Sequence, residues 1–316
     1  MDRQELIAMN EAKMLNLFVQ DNTIKQLFMN PGRGDRKPGR GDRKPVLVVK
    51  YGPPASGKGS PPTRAAIESL GVQYNKMIHF NVDDVIESLN KFKGASRSQL
   101  EKTFTYLTNS ARVKNNQMKQ LEANLNKIGD HNIKDFSKIY FETRNTPMNN
   151  KGTKVGDLMD SIMGRAMEMS LDISMETTGS FSFPDWLFSE PKLQPHINNY
   201  RVVFVFPTVK CGTAWSRYKS RPIKSYESGG PFRFGSTKTG FATQYINSYK
   251  AFINKMPNFM VGKDVSYIIV PNDPSNAGKP ASGVIKNNSL LPKLEVFITD
   301  AEEFRRSAST PTTGSI

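Results

Sequence analysis

The run Gly52-Pro53-Pro54-Ala55-Ser56-Gly57-Lys58-Gly59-Ser60 spaces two glycines and a lysine as a phosphate-binding loop requires. Glycines let backbone N–H groups curl around a polyphosphate, and the lysine reaches its terminal oxygens. The nine residues from Gly52 to Ser60 are therefore read as a cradle for a nucleoside triphosphate. Ser60 is the hydroxyl placed to help hold a magnesium ion, although it comes one position later than the usual pattern, after Gly59. Phosphoryl transfer asks little covalent chemistry of a protein beyond that cradle. It needs a carboxylate near the acceptor hydroxyl and cations for the migrating charge. Asp83 and Asp84, Glu176 with Thr177 beside it, and Arg217 with Arg221 offer those groups, and the i,i+4 spacing of the two arginines puts both on one helix face. ATP and Mg2+ are the cofactors this set implies.

The elements that must position these groups can be read around them. Val46-Leu47-Val48-Val49, directly ahead of the loop, reads as a buried strand. Pro61-Pro62 fits the first turn of a helix, where backbone N–H groups have no partner, and Thr63 to Leu70, ended by Gly71, completes it. Met77 to Val82 predicts a second strand ending on Asp83-Asp84, and Leu171 to Gly179 a third that carries Glu176. Tyr200 to Phe206 is a fourth, stopped by Pro207. Val265 to Val270 is a fifth, and Leu294 to Ile298 an added edge strand. Helical stretches between strands imply parallel crossovers, so the expected fold is α/β of the P-loop NTPase type, a parallel sheet of about five strands flanked by helices.

Around that domain, taken as 46–300, residues 1–30 carry apolar residues at helical spacing and residues 93–150 read as a polar helical insertion. Residues 222–240, rich in glycine, read as a lid-like loop, and 301–316 as a disordered tail. Residues 31–44 are two copies of PGRGDRK, a composition that cannot bury a core, so 31–45 reads as a flexible linker. Its two Arg-Gly-Asp tripeptides match a cell-adhesion signal, a role at odds with a chain that shows no secretion features.

The formal charge of +15 calls for an anionic partner, and nucleic acid, a membrane surface and nucleotide substrates all qualify. The tandem copies alone hold six basic and two acidic residues. The lack of a long apolar run or leader pattern argues against a membrane partner and for a cytoplasmic, intracellular protein, in host cytoplasm if the source is viral. One cysteine, Cys211, excludes an intramolecular disulfide, and three scattered histidines offer no zinc pattern.

Together these residues resemble the zeta-toxin and chloramphenicol-phosphotransferase group of P-loop kinases. The loop, as G-P-P-x-S-G-K-G-S, is also similar to that of small-substrate kinases such as adenylate kinases. His79-Phe80-Asn81-Val82-Asp83-Asp84 resembles the group's strand ending in a catalytic aspartate, which implies Asp83 as the base for the acceptor hydroxyl, with Asp84 close behind. Ser174-Met175-Glu176-Thr177-Thr178 resembles the element whose glutamate contacts substrate. Cys211 to Arg221 resembles the arginine pair that opens the lid and binds ATP phosphates. The resemblance implies a kinase for a small or nucleotide-linked hydroxyl acceptor, and an inhibitory protein is a partner it leaves open. The chain departs from the group at the insertion, where acceptor-binding elements are found, so the resemblance leaves open whether the group's UDP-linked amino sugar is the acceptor here.

Each assignment has a structural competitor. An Asp pair at a strand end often caps a helix, Glu176 could pair with a surface lysine, and Arg217 and Arg221 could form a solvated face. Arg201 reads as structural, and Lys210, Lys219 and Arg233 as weaker lid candidates. A polynucleotide 5′-hydroxyl kinase, or an inactive ATP- or RNA-binding protein, are the alternative functions.

Overall fold

A computed structural model describes residues 14–19, 22–29, 43–103, 125, 130–147, 152, 154–179, 183–272 and 287–309. Its strands are β1 (Val46–Tyr51), β2 (Ile78–Phe80), β3 (Ile173–Thr177), β4 (Arg201–Thr208) and β5 (Val265–Pro271). The helices that matter below are α1 (Asn22–Met29), α2 (Pro61–Glu68), α3 (Val82–Ser88), α4 (Asn90–Thr103), α5 (Asp130–Asn145), α6 (Val155–Glu168), α7 (Cys211–Glu227), α8 (Lys238–Met260) and α9 (Glu295–Ser309).

The sheet is five-stranded in the order β2-β3-β1-β4-β5, and every pairing is parallel. This is the α/β architecture expected from the sequence, a parallel sheet of five strands with helices packed against it. A parallel sheet covered on both faces needs strands apolar on both sides, which is why β1 and β4 read as near-continuous hydrophobic runs. Val46, Val48, Val203, Val205, Ile268 and Val270 face one way and pack with Ala66 and Ile67 of α2. Leu47, Val49, Tyr51, Phe204, Phe206 and Tyr267 face the other way and join the larger core with α6 and α8. On that second face Tyr51, Phe183, Phe204, Phe206 and Phe252 form a ring cluster with centroids 4.6–6.2 Å apart.

With β1 in the centre, its C-terminal end opens between β3 and β4, where the strand order reverses and α/β sheets hold ligands. The amide of Gly52 still donates to Thr177 O at 3.3 Å, after which the chain leaves the sheet as the loop. That departure explains why Pro207 sits inside β4 instead of stopping it. In β4 the odd-numbered amides point to β1, as the bond from Arg201 N to Pro45 O shows. At Pro207 that side faces the departed chain around Gly52, so the missing N–H costs no ladder bond, while Pro207 keeps its register with Val270.

Before β1, residues 14–18 form a helical turn, and Val19 makes an antiparallel bridge with Ile78 on the edge strand β2. Phe18 packs on Phe80 at 5.0 Å, and the Arg165 guanidinium donates to the Phe28 carbonyl at the end of α1. The tandem repeat lies outside the described residues except for its end. There Arg43 pairs with the buried Asp172 at 2.7 Å, and Lys44 with Asp264 at 3.2 Å. The insertion is helical where described, as α4 and α5. Leu294 to Ile298 is no strand: Pro292–Leu294 is a 3-10 turn and α9 starts at Glu295, because a short apolar run suits either element and packing on α8 decides it. The tail expected to be disordered from 301 is helical through Ser309. Among the described residues no helix is long and apolar enough to cross a membrane.

Candidate functional site

The loop after β1 is held in its curve by backbone conformation. Gly52 has φ 152°, Gly57 φ 97° and Ala55 φ 57°, the last a left-handed value that alanine rarely takes. Ser56 N donates to Pro53 O at 3.3 Å and Ser60 N to Gly57 O at 2.9 Å. Among the described residues no protein group accepts from the N–H of Gly57, Lys58 or Gly59. Successive amides without a protein acceptor, next to a lysine, are the kind of donors from which anion-binding turns are built. Ser60 then stands at the N-cap of α2 with Pro61 in the first turn, as the sequence predicts, and the helix runs to Glu68. Its hydroxyl lies 3.2 Å from that of Thr63, which itself donates to Gly57 O.

Lys58 is buried, and its ammonium lies across the loop, donating to Gly52 O at 2.9 Å and Pro53 O at 3.0 Å. Burial pushes its pKa below the usual lysine value, and Glu176 with Asp83 opposes that shift. Glu176, on β3 beside Lys50 of β1, bridges two lysines: 3.5 Å to Lys50 and 3.8 Å to Lys58. It is thus a charge partner for the loop lysine, and both lysines it meets are buried. Thr177, next along, accepts from the Gly179 amide through its hydroxyl at 3.3 Å and so shapes the turn that follows β3.

Asp83 and Asp84 are not at a strand end. β2 stops at Phe80, Asn81 caps α3 by accepting from Asp83 N at 3.1 Å, and both aspartates fall in the first helical turn. Both oxygens of Asp83 have partners. The Tyr140 hydroxyl donates to Oδ1 at 2.6 Å, and the Arg233 guanidinium pairs with Oδ2 at 2.8 Å. The same nitrogen of Arg233 reaches Glu87 Oε1 at 3.1 Å, and the guanidinium lies 4.6 Å from the centre of the Tyr140 ring. Burial works against charge on Asp83, yet Arg233 and Tyr140 hold its carboxyl below the usual aspartate range. Asp84 shifts the other way: desolvation and the carboxylates of Glu176 and Glu87 raise it.

The two α7 arginines divide. Arg217 donates to Asn272 O at 3.0 Å, at the end of β5. Arg221 is largely exposed and approaches Glu87 at 3.6 Å. Arg201 donates to Leu70 O at 2.9 Å, the structural role expected of it. The Lys219 ammonium lies 6.0 Å from the centre of the Trp215 ring, and Lys210 is the N-cap of α7. Of the stretch 222–240, residues up to Glu227 continue α7 and those from Lys238 belong to α8. The loop between them is tied down: Phe232 and Phe234 are buried, Phe232 N donates to Ser96 Oγ at 3.3 Å, and Gly235 N to the Tyr218 hydroxyl at 2.9 Å.

Four residues of the site escape a reading of motifs. Asn272 donates from its side-chain amide to Ser56 O at 2.6 Å and lies so close under the loop that a Cβ on Gly57 would fall 1.7 Å from it. Nothing in Pro271-Asn272-Asp273-Pro274 announces this. Tyr140 and Glu87 are single residues in polar helical text. Lys50 alone had a visible signal, as a charge inside the otherwise apolar run of β1.

The residues fit a triphosphate: unpartnered amides, a lysine in their midst and a hydroxyl at the helix start. Among the described residues no cluster of three His, Cys, Asp or Glu side chains could hold a metal unaided. A magnesium ion would take Ser60 from the protein and its remaining ligands from phosphate and water, the way this ion is commonly held beside phosphates.

No protein-family model matches the sequence, and no curated protein matches it. Among solved structures, one from the PezAT chromosomal toxin–antitoxin system of the human pathogen Streptococcus pneumoniae aligns with a TM-score of 0.43 at 9% identity. The alignment covers 95% of this chain and 96% of that one. A likeness that shallow assigns no activity and no partner.

Proposed function

We propose that the chain is an ATP- and magnesium-dependent phosphotransferase acting on the hydroxyl of a small or nucleotide-linked acceptor. The observation that carries this reading is the run of three amides, Gly57, Lys58 and Gly59, without a protein acceptor among the described residues, at a buried lysine at the C-terminal end of the central strand with the carboxylates of Glu176 and Asp83 near it. The resemblance of the loop, the Asp83-Asp84 pair and the Glu176 element to zeta-toxin kinases supports it.

Bound ATP with its magnesium supplies the transferable phosphoryl group. The amides and Lys58 hold its phosphates, and Ser60 holds the ion. Arg217 and Arg221 neutralise charge that builds up on the transferring group. Asp83 orients the acceptor hydroxyl and takes its proton, while Asp84, Glu176 and Thr177 line the acceptor's approach. A carboxylate held in its charged form suits orientation, since a fixed near-attack geometry supplies much of the acceleration.

The formal charge of +15 favours one second reading, in which the acceptor is the 5′-hydroxyl of a polynucleotide. Phosphate contacts release counterions, so oligonucleotide binding would then weaken steeply with salt.

The test is incubation of the protein and its Lys58→Ala variant with γ-labelled ATP and magnesium, adding UDP-amino sugars, free nucleosides and 5′-hydroxyl oligonucleotides in turn. Label should move to one acceptor class with the parent, and at least about a hundredfold more slowly with the variant. ATP bound in a Lys58-dependent way with no transfer to any acceptor would leave an ATP-binding protein in place of an enzyme.

A further inference from the structure

The Asp83 cluster draws on parts of the chain that the phosphotransferase reading leaves idle. Tyr140 comes from α5, the second described helix of the insertion, and Arg233 from the loop between α7 and α8. Each contributes one bond to a different oxygen of the same carboxylate. Both are themselves held. The Tyr140 ring packs edge-on to Phe92 of α4 at 6.2 Å. Arg233 sits between two buried phenylalanines, of which Phe232 packs on Phe136 of α5 at 5.4 Å. The loop is fastened further by Arg97 of α4, which donates to Tyr226 O and Gly230 O, each at 3.2 Å. Insertion and loop therefore brace each other and meet the catalytic candidate at the same point.

A surface decoration would not be wired this way. An ion pair of this kind gains little if it only joins exposed groups, but here the guanidinium is shared between Asp83 and Glu87 and backed by an aromatic face. A carboxylate can accept about four hydrogen bonds, so two fixed partners still leave room for an acceptor hydroxyl. The other charged groups that face Asp83 are Lys58 across the loop and Arg221 on α7.

We infer that Tyr140 and Arg233 are positioning residues of the transfer site, fixing the Asp83 carboxylate from two directions, and that the insertion and the 228–237 loop exist in part to carry them. The inference rests on the phosphotransferase reading and gives the insertion a task within it. Neither residue needs to touch the acceptor. Their effect is on where Asp83 points and on its protonation.

The test compares the parent with Tyr140→Phe, Arg233→Lys and Arg233→Gln, using the full chain. Three quantities are followed: affinity for γ-labelled ATP, transfer of label to the same UDP-amino sugars, nucleosides and 5′-hydroxyl oligonucleotides, and titration of Asp83 by carboxyl-13C NMR, assigned by loss of its signal in Asp83→Asn. Tyr140→Phe keeps the ring and its packing, so it should bind ATP within about twofold of the parent. Its kcat should drop about tenfold or more, the scale of a lost hydrogen bond to a charged group. Arg233→Gln should lose more, and Arg233→Lys should recover part of that loss. In Tyr140→Phe and Arg233→Gln, Asp83 should titrate at higher pH, and the acid limb of kcat should move up with it.

Parent-like kcat in both Tyr140→Phe and Arg233→Gln would overturn the inference while leaving the enzyme intact. So would a loss of kcat with Asp83 titrating as in the parent, since the two residues would then act as packing or direct contacts. A parent chain that moves no label to any acceptor would bring down the phosphotransferase reading and this inference with it. That result is told apart by being independent of either variant. Should Arg233→Gln fail to fold, Tyr140→Phe and Arg233→Lys carry the same comparison.

Discussion

Between Gly52 and Ser60 the chain lines up polar groups of its own backbone, whereas around Asp83 it gathers side chains from three distant stretches. The first half of the site is local. Its amides come from consecutive residues, and the outside support, Asn272 with Arg217 behind it, works through Asn272's side-chain amide and backbone carbonyl. The second half joins Asp83 and Glu87 of α3 to Tyr140 and Arg233, up to about 150 positions away. A backbone surface tolerates many side-chain changes but not an added Cβ. A cluster of side chains tolerates backbone neighbours but not a change of charge.

The sharpest way to break the contrast is Gly57→Ala. The new methyl would fall 1.7 Å from the Asn272 amide at a φ of 97°, so ATP binding measured by titration should be lost. Adding Asn272→Ala relieves the clash but not the backbone strain, so the double variant should regain only part of the affinity. A full recovery would mean that the loop's conformation matters less than its space.

Asn272→Ala alone should be milder. It leaves the Ser56 carbonyl without its partner in a buried setting, a loss of about 1–3 kcal/mol. Thermal stability should fall and the KM for ATP rise, with kcat less affected. An equal fall in kcat would place Asn272 in the transition state as well as under the loop.

Acid should separate two groups near the site. His79 on β2 gives Nε2 to the Tyr74 carbonyl at 2.8 Å, and burial lowers its pKa to about 4. The unfolded chain then binds a proton below pH 6.5 that the folded chain refuses, so stability is lost as pH falls from about 6.5 to about 4. The full effect is up to about 3 kcal/mol. His79→Gln should flatten that part of the curve. Asp83 has a depressed folded pKa, so its contribution is complete above the unfolded aspartate value and fades as pH drops through the folded one. Unfolding of Asp83→Asn against the parent should differ at neutral pH and converge in strong acid. Convergence already at pH 5 would show that the Arg233 pair contributes little.

The smallest effect belongs to Cys211. Buried at the start of α7, its amide donates to Asp300 at 2.7 Å, and burial pushes the thiol up to about 12. A thiol so seldom ionised reacts slowly, and alkylating reagent at neutral pH should leave activity unchanged over the time that denatured chain is fully labelled.

These contrasts also explain which parts of the molecule could be read beforehand. The turn after β1 and the helix start at Pro61 are legible because their glycines and prolines are adjacent in the chain, and the strands of the sheet because burial on both faces makes them continuous apolar runs. Leu294 to Ile298 misled because a short apolar run has the same look in a helix that packs on α8. The aspartate pair reads as a strand end because Val82 extends the apolar alternation of Ile78 and Phe80, which outweighs the capping signal of Asn81 in the local pattern. Tyr140 and Asn272 were silent for a different reason. Each acts through a contact set by topology, Asn272 reaching Ser56 across 216 positions, and no local pattern encodes which strand end will lie beside which loop.

The bridge between Val19 and Ile78 carries a consequence for how the chain can be divided. β2 is three residues long and lies at the sheet's edge, and an uncovered edge is a template for pairing with another molecule. Residues 14–19 and 22–29 act as a stopper for that edge, seated by Met14, Phe18, Ile24 and Phe28 in the main core. Its grip is noncovalent, so the edge would still close if these residues were supplied as a fragment separate from the rest of the chain. The larger fragment alone would be prone to self-association through β2, and the smaller one, added as a peptide, would reverse it.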